Sequence, residues 1–303
     1  MFLNKILSTF VFCVGLYSGL YAHCGTSFCP VYSAYSNSDL SFFRFSVAAD
    51  NAVLEQEASG TQIMAASGHQ LSQKVLLQAD FPIFAAAQLS LQVPLQRTQV
   101  DHDGSGNPAE QWDFSGLGDA ALRGRIPVLG NFQAWGGIEA PTGRSDLINS
   151  VGIVADRTVQ LGSGTWDLLW GVDAAQTFTW KALDGGVLEG LLFAGISHRN
   201  NGTDASGYHP GDEWLVNAGI QVPVWSVCLL EAQFNAQHGE QAFGPGVATD
   251  DTGGSKLLGA AGTRLQLGGQ EIHAFWQWPL FQRLNGTQLT SALQVRVGSE
   301  FVV

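Results

Sequence analysis

Basic residues are scarce in this 303-residue chain, with 14 Lys plus Arg against 26 Asp plus Glu and a formal net charge of -12. That balance excludes a nucleic-acid binder, whose affinity rests on cations meeting phosphates. Charge of either sign is sparse, at 13% of residues. Beyond the N-terminus no apolar run approaches the ~18 residues a membrane helix needs, so a helical membrane protein is excluded as well. Only 4 cysteines and 2 methionines occur. Nor does any of the seven histidines, His23, His69, His102, His198, His209, His238 and His273, stand in a recognisable Ser or Cys nucleophile motif. No catalytic site and no cofactor are expected.

Glycine, tryptophan and phenylalanine are plentiful instead, at 37, 9 and 18, and glutamine recurs between apolar residues. The first 22 residues stand apart: Lys5 precedes an uncharged run from Ile6 to Leu20, and Tyr21-Ala22 offers a small residue before a cleavage site. Residues 1–22 read as a secretory signal, with 23–40 as an N-terminal periplasmic segment. Neither Cys13 nor Cys24 follows the small residue that lipidation wants. Loss of the signal leaves Cys24, Cys29 and Cys228 in an oxidising compartment.

From Ser41 onward, segments of roughly ten residues alternate apolar with polar or small, the two-residue period of a strand between two environments. Leu89, Leu91, Val93 and Leu95 interleave with Gln88, Ser90 and Gln92. Leu293, Val295, Val297, Phe301 and Val303 oppose Gln294, Arg296, Gly298 and Glu300. Twelve such segments lie near 41–50, 73–84, 86–98, 116–129, 131–141, 165–180, 185–199, 212–224, 225–238, 255–267, 270–281 and 288–303. Tight joins at Ala85, Gly130, Val224-Trp225 and Gly268-Gly269 alternate with long connections at 51–72, 99–115, 142–164, 200–211 and 239–254. A greasy face on every strand cannot meet water, and a face of Gln, Asp, Glu and Arg cannot form a dry core. Lipid outside and water inside satisfy both, and closure pairs every backbone group. Residues 41–303 are therefore expected to form an all-β fold, a closed antiparallel transmembrane β-barrel of about 12 strands, in a bacterial outer membrane. A soluble β-sandwich is the alternative, and it would have to protect its sheet edges.

The last eight residues, Arg296 to Val303, place Gly298, Phe301 and a terminal Val at a spacing that resembles the C-terminal signal read by the barrel assembly machinery. Three further motifs stand in order: Gly116-Leu117-Gly118-Asp119, Ala140-Pro141-Thr142-Gly143, and Gln160-Leu161-Gly162-Ser163-Gly164-Thr165-Trp166-Asp167. In these the chain, from about Gln73 to its end, resembles the outer-membrane transporter family named for the meta-pathway of phenol degradation. The resemblance implies a twelve-stranded barrel related to channels for small, often aromatic, compounds, and supplies no catalytic residues. Strand punctuation explains the same motifs: glycine at a bulged strand entry, proline at a strand end, Trp166 in an aromatic belt.

Sorting strands by face puts Arg44, Asp80, Asp119, Arg123, Arg125, Glu139, Asp167, Asp173, Glu189, Glu231, Arg264, His273, Arg296 and Glu300 inside. These line either a hydrated pore or an interior where arginines and carboxylates pair to hold shape. Their acidic excess points to a modest preference for cations. Cys24 and Cys29 are candidates for a disulfide. Cleavage after Ala22 would leave His23 as an N-terminal chelator, with metal as the rival reading. Asp101 and Asp103 resemble the first half of a calcium loop, but Trp112 stands where the bidentate Glu belongs. Asn201-Gly-Thr203 and Asn285-Gly-Thr287 read as turns. The expected function is passive passage of small solutes, aromatic or hydrophobic ones among them, through outer-membrane lipid. The runner-up is a structural or metal-handling protein using the His/Cys segment, and a barrel-embedded lipid hydrolase comes third.

Overall fold

A computed structural model describes residues 43–84, 87–101, 108, 111–181, 183–245, 247–267, 270–290 and 293–302. The expected signal, the N-terminal segment and Val303 lie outside the described residues. The strands are β1 (Arg44–Gly60), β2 (Gln62–Phe84), β3 (Ala87–Asp101), β4 (Gln111–Leu117), β5 (Ala120–Leu129), β6 (Phe132–Ala140), β7 (Asp167–Lys181), β8 (Val187–Asn200), β9 (Glu213–Trp225), β10 (Cys228–Gly239), β11 (Phe243–Gly244), β12 (Val247–Ala248), β13 (Gly254–Leu267), β14 (Gln270–Thr290) and β15 (Gln294–Val302). Each barrel strand pairs antiparallel with its neighbours in the chain, and β15 pairs with β1, so no edge remains. The strands β4 and β5 both pair with β3 and make one broken stave, and β11 with β12 is a separate hairpin within a loop. The result is a closed barrel of twelve staves.

Leu91, Leu122, Ile138, Leu168, Val172, Leu192, Ile196, Val216, Leu230 and Leu265 point outward and are exposed, as residues that meet lipid must be. Trp170 and Trp180 stand on the same outward face of β7, ten residues apart. At about 3.3 Å per residue and a tilt of about 40°, they bracket a band of about 25 Å, the height of an outer-membrane apolar girdle. The inward face instead buries Gln88, Gln221, Gln233, Asn217, Asn235 and Gln277.

Three expectations fail. Residues 51–72 are not a long loop, because β1 and β2 continue as one hairpin to a tight turn where Gly60 has φ +59°. Likewise β14 runs on to Thr290, and β1 reaches past the shorter β15 to pair with it from Gln56 to Gly60. Outside the bilayer a sheet can have water on both faces, so the ladder persists after the apolar alternation that betrays it has ended. The segment 116–129 is also not one strand. It breaks at Gly118-Asp119, although the Gly118 amide still donates to Pro94 O at 2.9 Å.

Candidate functional site

The strand register places thirteen of the fourteen sequence-derived charged positions on the inward face, with Asp119 at the break in the β4–β5 stave. Most are engaged by a partner of opposite charge. Arg199 Nη2 stands 2.6 Å from Glu139 Oε1 and 2.5 Å from Asp167 Oδ2. Arg264 joins Glu231 at 2.8 Å and Glu271 at 2.5 Å, and its guanidinium lies 5.1 Å over the Phe275 ring. Arg44 pairs with Glu300 at 3.4 Å, Arg125 with Asp173 at 3.9 Å, and Arg296 with Asp50 at 3.4 Å. Arg123 lies 5.4 Å over Trp135. Asp80 accepts from Ser90 Oγ at 2.5 Å and from Gln78, and His273 is buried beside Phe275. Glu189 stays exposed, opposite Thr179.

Burying a charge costs several kcal/mol unless a partner and hydrogen bonds compensate it. Both conditions hold at Asp167, whose side chain is 0% exposed and which also accepts from Thr165 Oγ1 at 2.6 Å and from the Gly202 amide at 3.0 Å. Many of the inward carboxylates are thus paired in place with arginine, and the acidic excess remains. Arg199, Glu213, Lys74, Asp50 and Glu271, all on the inward face, were missing from the sequence-derived set. Their parity could have found them: Arg199 follows Ser197, and Glu213 precedes Asn217, each by an even step on its strand.

At the end of the barrel with the long connections, the three motifs meet. The Asp119 carboxylate accepts from the Gly143 amide at 2.9 Å, the Ser163 amide at 2.6 Å and Ser163 Oγ at 2.8 Å. Thr142 Oγ1 donates to Gly118 O at 2.8 Å and accepts from the Ala120 amide at 2.9 Å, bridging the stave's break. Gly143 lies against Leu161 and Gly162, where a Cβ would stand 2.7 Å from Leu161 O. Between these anchors residues 142–166 fold inward. Ala155, Val159 and Leu161 bury against Val100 and Phe114 of the inner wall, with Trp112 and Leu147 alongside. Gln96 Nε2 donates to Leu161 O, and Gln160 fastens the segment internally through Leu147 and Ala155.

A 3-10 turn, Arg157–Val159, aims Arg157 at the β8–β9 loop. Its Nη2 stands 2.5 Å from Asp204 Oδ2 and 3.1 Å from Ser206 Oγ, and its guanidinium lies 5.3 Å over the Tyr208 ring. Burial works to raise the Asp204 pKa. Hydrogen bonds from Ser206 and the Tyr208 amide, with the charge of Arg157, outweigh it and hold the carboxyl below the ordinary range. Burial, next to Asp156, pushes the Tyr208 phenol up.

The disulfide and metal candidates Cys24, Cys29, His23 and Asp103 lie outside the described residues. Asp101 closes β3 opposite Gln111, whose amide donates to it at 3.3 Å. Among the described residues no group of three or more His, Cys, Asp or Glu could hold a metal ion.

An edgeless antiparallel barrel with an apolar outer girdle, aromatic margins and a polar interior is an outer-membrane β-barrel, and its place is the bacterial outer membrane. By sequence, the chain matches no protein-family profile and no curated protein. By structure, it is similar to an outer membrane channel from Pseudomonas putida F1, with TM-score 0.66, 12% identity, and coverage of 86% of this chain and 95% of that one. Weaker likenesses include a Pseudomonas aeruginosa FadL homologue, with TM-score 0.43, 9% identity and coverage of 86% and 90%. The translocator domain of the autotransporter NalP from Neisseria meningitidis gives TM-score 0.43, 10% identity and coverage of 86% and 88%.

Proposed function

We propose that the barrel is a passive, non-catalytic channel for small solutes, aromatic and hydrophobic ones included. The observation that carries this reading is the inward face: every stave turns amides or charged groups away from lipid, and Arg123, Arg125, Asp173 and Glu189 among them are not buried, as groups lining a solute path must be. The likeness to the P. putida F1 channel over 86% of the chain supports it, as does the motif resemblance to the phenol meta-pathway family. Arg44, Arg123, Arg125, Asp173, Glu189 and Arg296 are the groups a passing solute meets, whereas buried Asp80 and Glu300 and the Arg199 and Arg264 clusters brace the wall. Paired as they are, these charges leave at most a modest preference for cations. Outer-membrane lipid holds the girdle, and the barrel assembly machinery reads the last strand through Phe301.

Solute flux tests the reading. Proteoliposomes should swell in small neutral solutes and in small aromatic acids, at rates that scale with the protein they contain. A folded barrel, verified by a gel shift on boiling, that admits none of them would contradict the channel. That result would favour the scaffold, for which the ion-paired interior is the supporting observation.

A further inference from the structure

The inward-folded segment 142–166 is more than a connection. It leaves the barrel between the fifth and sixth staves, β6 and β7, and packs its apolar side on the wall of β3 and β4, the third and fourth. Arg157 then reaches the loop between β8 and β9, the seventh and eighth staves. Its attachments are thus about four of twelve staves apart, so the segment runs as a chord over the mouth. Its fastenings are unequal. At its roots, Asp119 and Thr142 tie both ends to the stave break through five hydrogen bonds. On the far side the β8–β9 loop abuts the end of the segment where Gly202 meets Thr165 and Trp166, and the side chain that ties it to the middle of the segment is Arg157, whose Nη1 also donates to Ser145 O at 3.1 Å.

We propose that residues 142–166 are a strap across the mouth, and that Arg157, by clasping it to the β8–β9 loop, sets the width of the opening and so the size of solute admitted. The chemistry suits a clasp. A guanidinium sharing a carboxylate, a hydroxyl and an aromatic face gives charge-assisted bonds that are strong when made and lost together when the arginine goes. The loop side is prepared for it: Asp204 Oδ1 accepts from the Ser206 amide at 2.7 Å, Ser206 Oγ at 2.6 Å and the Tyr208 amide at 3.0 Å, which fixes the carboxylate and leaves Oδ2 for Arg157. The tip of the strap carries Ile148, Val151, Ile153 and Val154 exposed at the mouth, so a swing of the strap would move apolar side chains past an entering solute.

The width assignment rests on the channel reading; the clasp itself does not, and two measurements on the full-length protein separate them. Hydrogen exchange in detergent should be about tenfold faster across peptides covering 143–163 in Arg157→Ala, intermediate in Arg157→Lys, and unchanged in Arg144→Ala, whose side chain pairs only with exposed Asp146. In planar bilayers Arg157→Ala should conduct at least about twofold more than the parent and admit larger neutral solutes. Unchanged exchange in folded Arg157→Ala would overturn the clasp. Faster exchange with unchanged conductance would overturn the assignment of width. Faster exchange with no conductance from either protein would overturn the channel reading, and the width assignment would fall with it while the clasp stood.

Discussion

The wall of the barrel and the strap at its mouth are held by different means. In the wall, each residue is secured by a backbone ladder that closes around twelve staves, so the loss of one outward side chain removes a little lipid contact and nothing else. The strap has only an isolated Ile148–Val154 bridge for a ladder. Its position depends on three carboxylates, Asp119, Asp167 and Asp204, which collect amides and hydroxyls from chain segments up to 44 residues away. Stability is therefore spread evenly in the wall and concentrated in a few side chains at the mouth, and the mouth is where single substitutions should tell.

The comparison breaks most sharply at Arg199, which belongs to both regions. Arg199→Ala strands Glu139 and Asp167 as buried carboxylates without their cation, a loss of about 3–5 kcal/mol. The unfolding midpoint of the detergent-solubilised barrel should fall accordingly. A change below about 1 kcal/mol would show that water already reaches the cluster.

A smaller effect is expected from acid. The carboxyl of Asp204 is held below its ordinary value, so the clasp keeps its full contribution above pH ~4 and loses it only as the pH falls through that lowered value. Asp156 and Tyr208 stand around it, and the phenol stays neutral throughout that range. The difference in conductance between the parent and Arg157→Ala should thus be flat from pH ~7 to ~5 and close only at the acid end. A change already at pH ~6 would assign the switch to a different group. Smallest of all, Leu230→Val on the lipid face should shift stability by less than about 1 kcal/mol and leave conductance alone. An altered conductance there would mean that the faces of β10 are exchanged.

These contrasts also explain what one sequence can disclose. Leu89, Leu91, Val93 and Leu95 announce their face because lipid on one side and polar groups on the other impose a period of two. The same rule, carried two residues further along β8, reaches Arg199. Nothing comparable marks the strap. Its Gly-rich, Thr-rich stretch reads as a loop, and Ala155, Val159 and Leu161 become a core only because Val100 and Phe114 wait on a distant strand. Arg157 and Asp204 are both ordinary loop residues until the fold brings them together. The β1–β2 extension carries no such mark for the converse reason, since a ladder outside the bilayer leaves no apolar signature.

The central claim is that the inward face is wet and continuous with the outside. Cysteine substitutions along β3 at Ser90, Leu91, Gln92 and Val93, made without the native cysteines and treated in intact outer membranes with a small charged thiol reagent, test it most directly. The account predicts labelling at Ser90→Cys and Gln92→Cys, which share the inward face with Asp80 and Gln78, and none at Leu91→Cys or Val93→Cys. Labelling at the outward pair, or at none of the four, would contradict it.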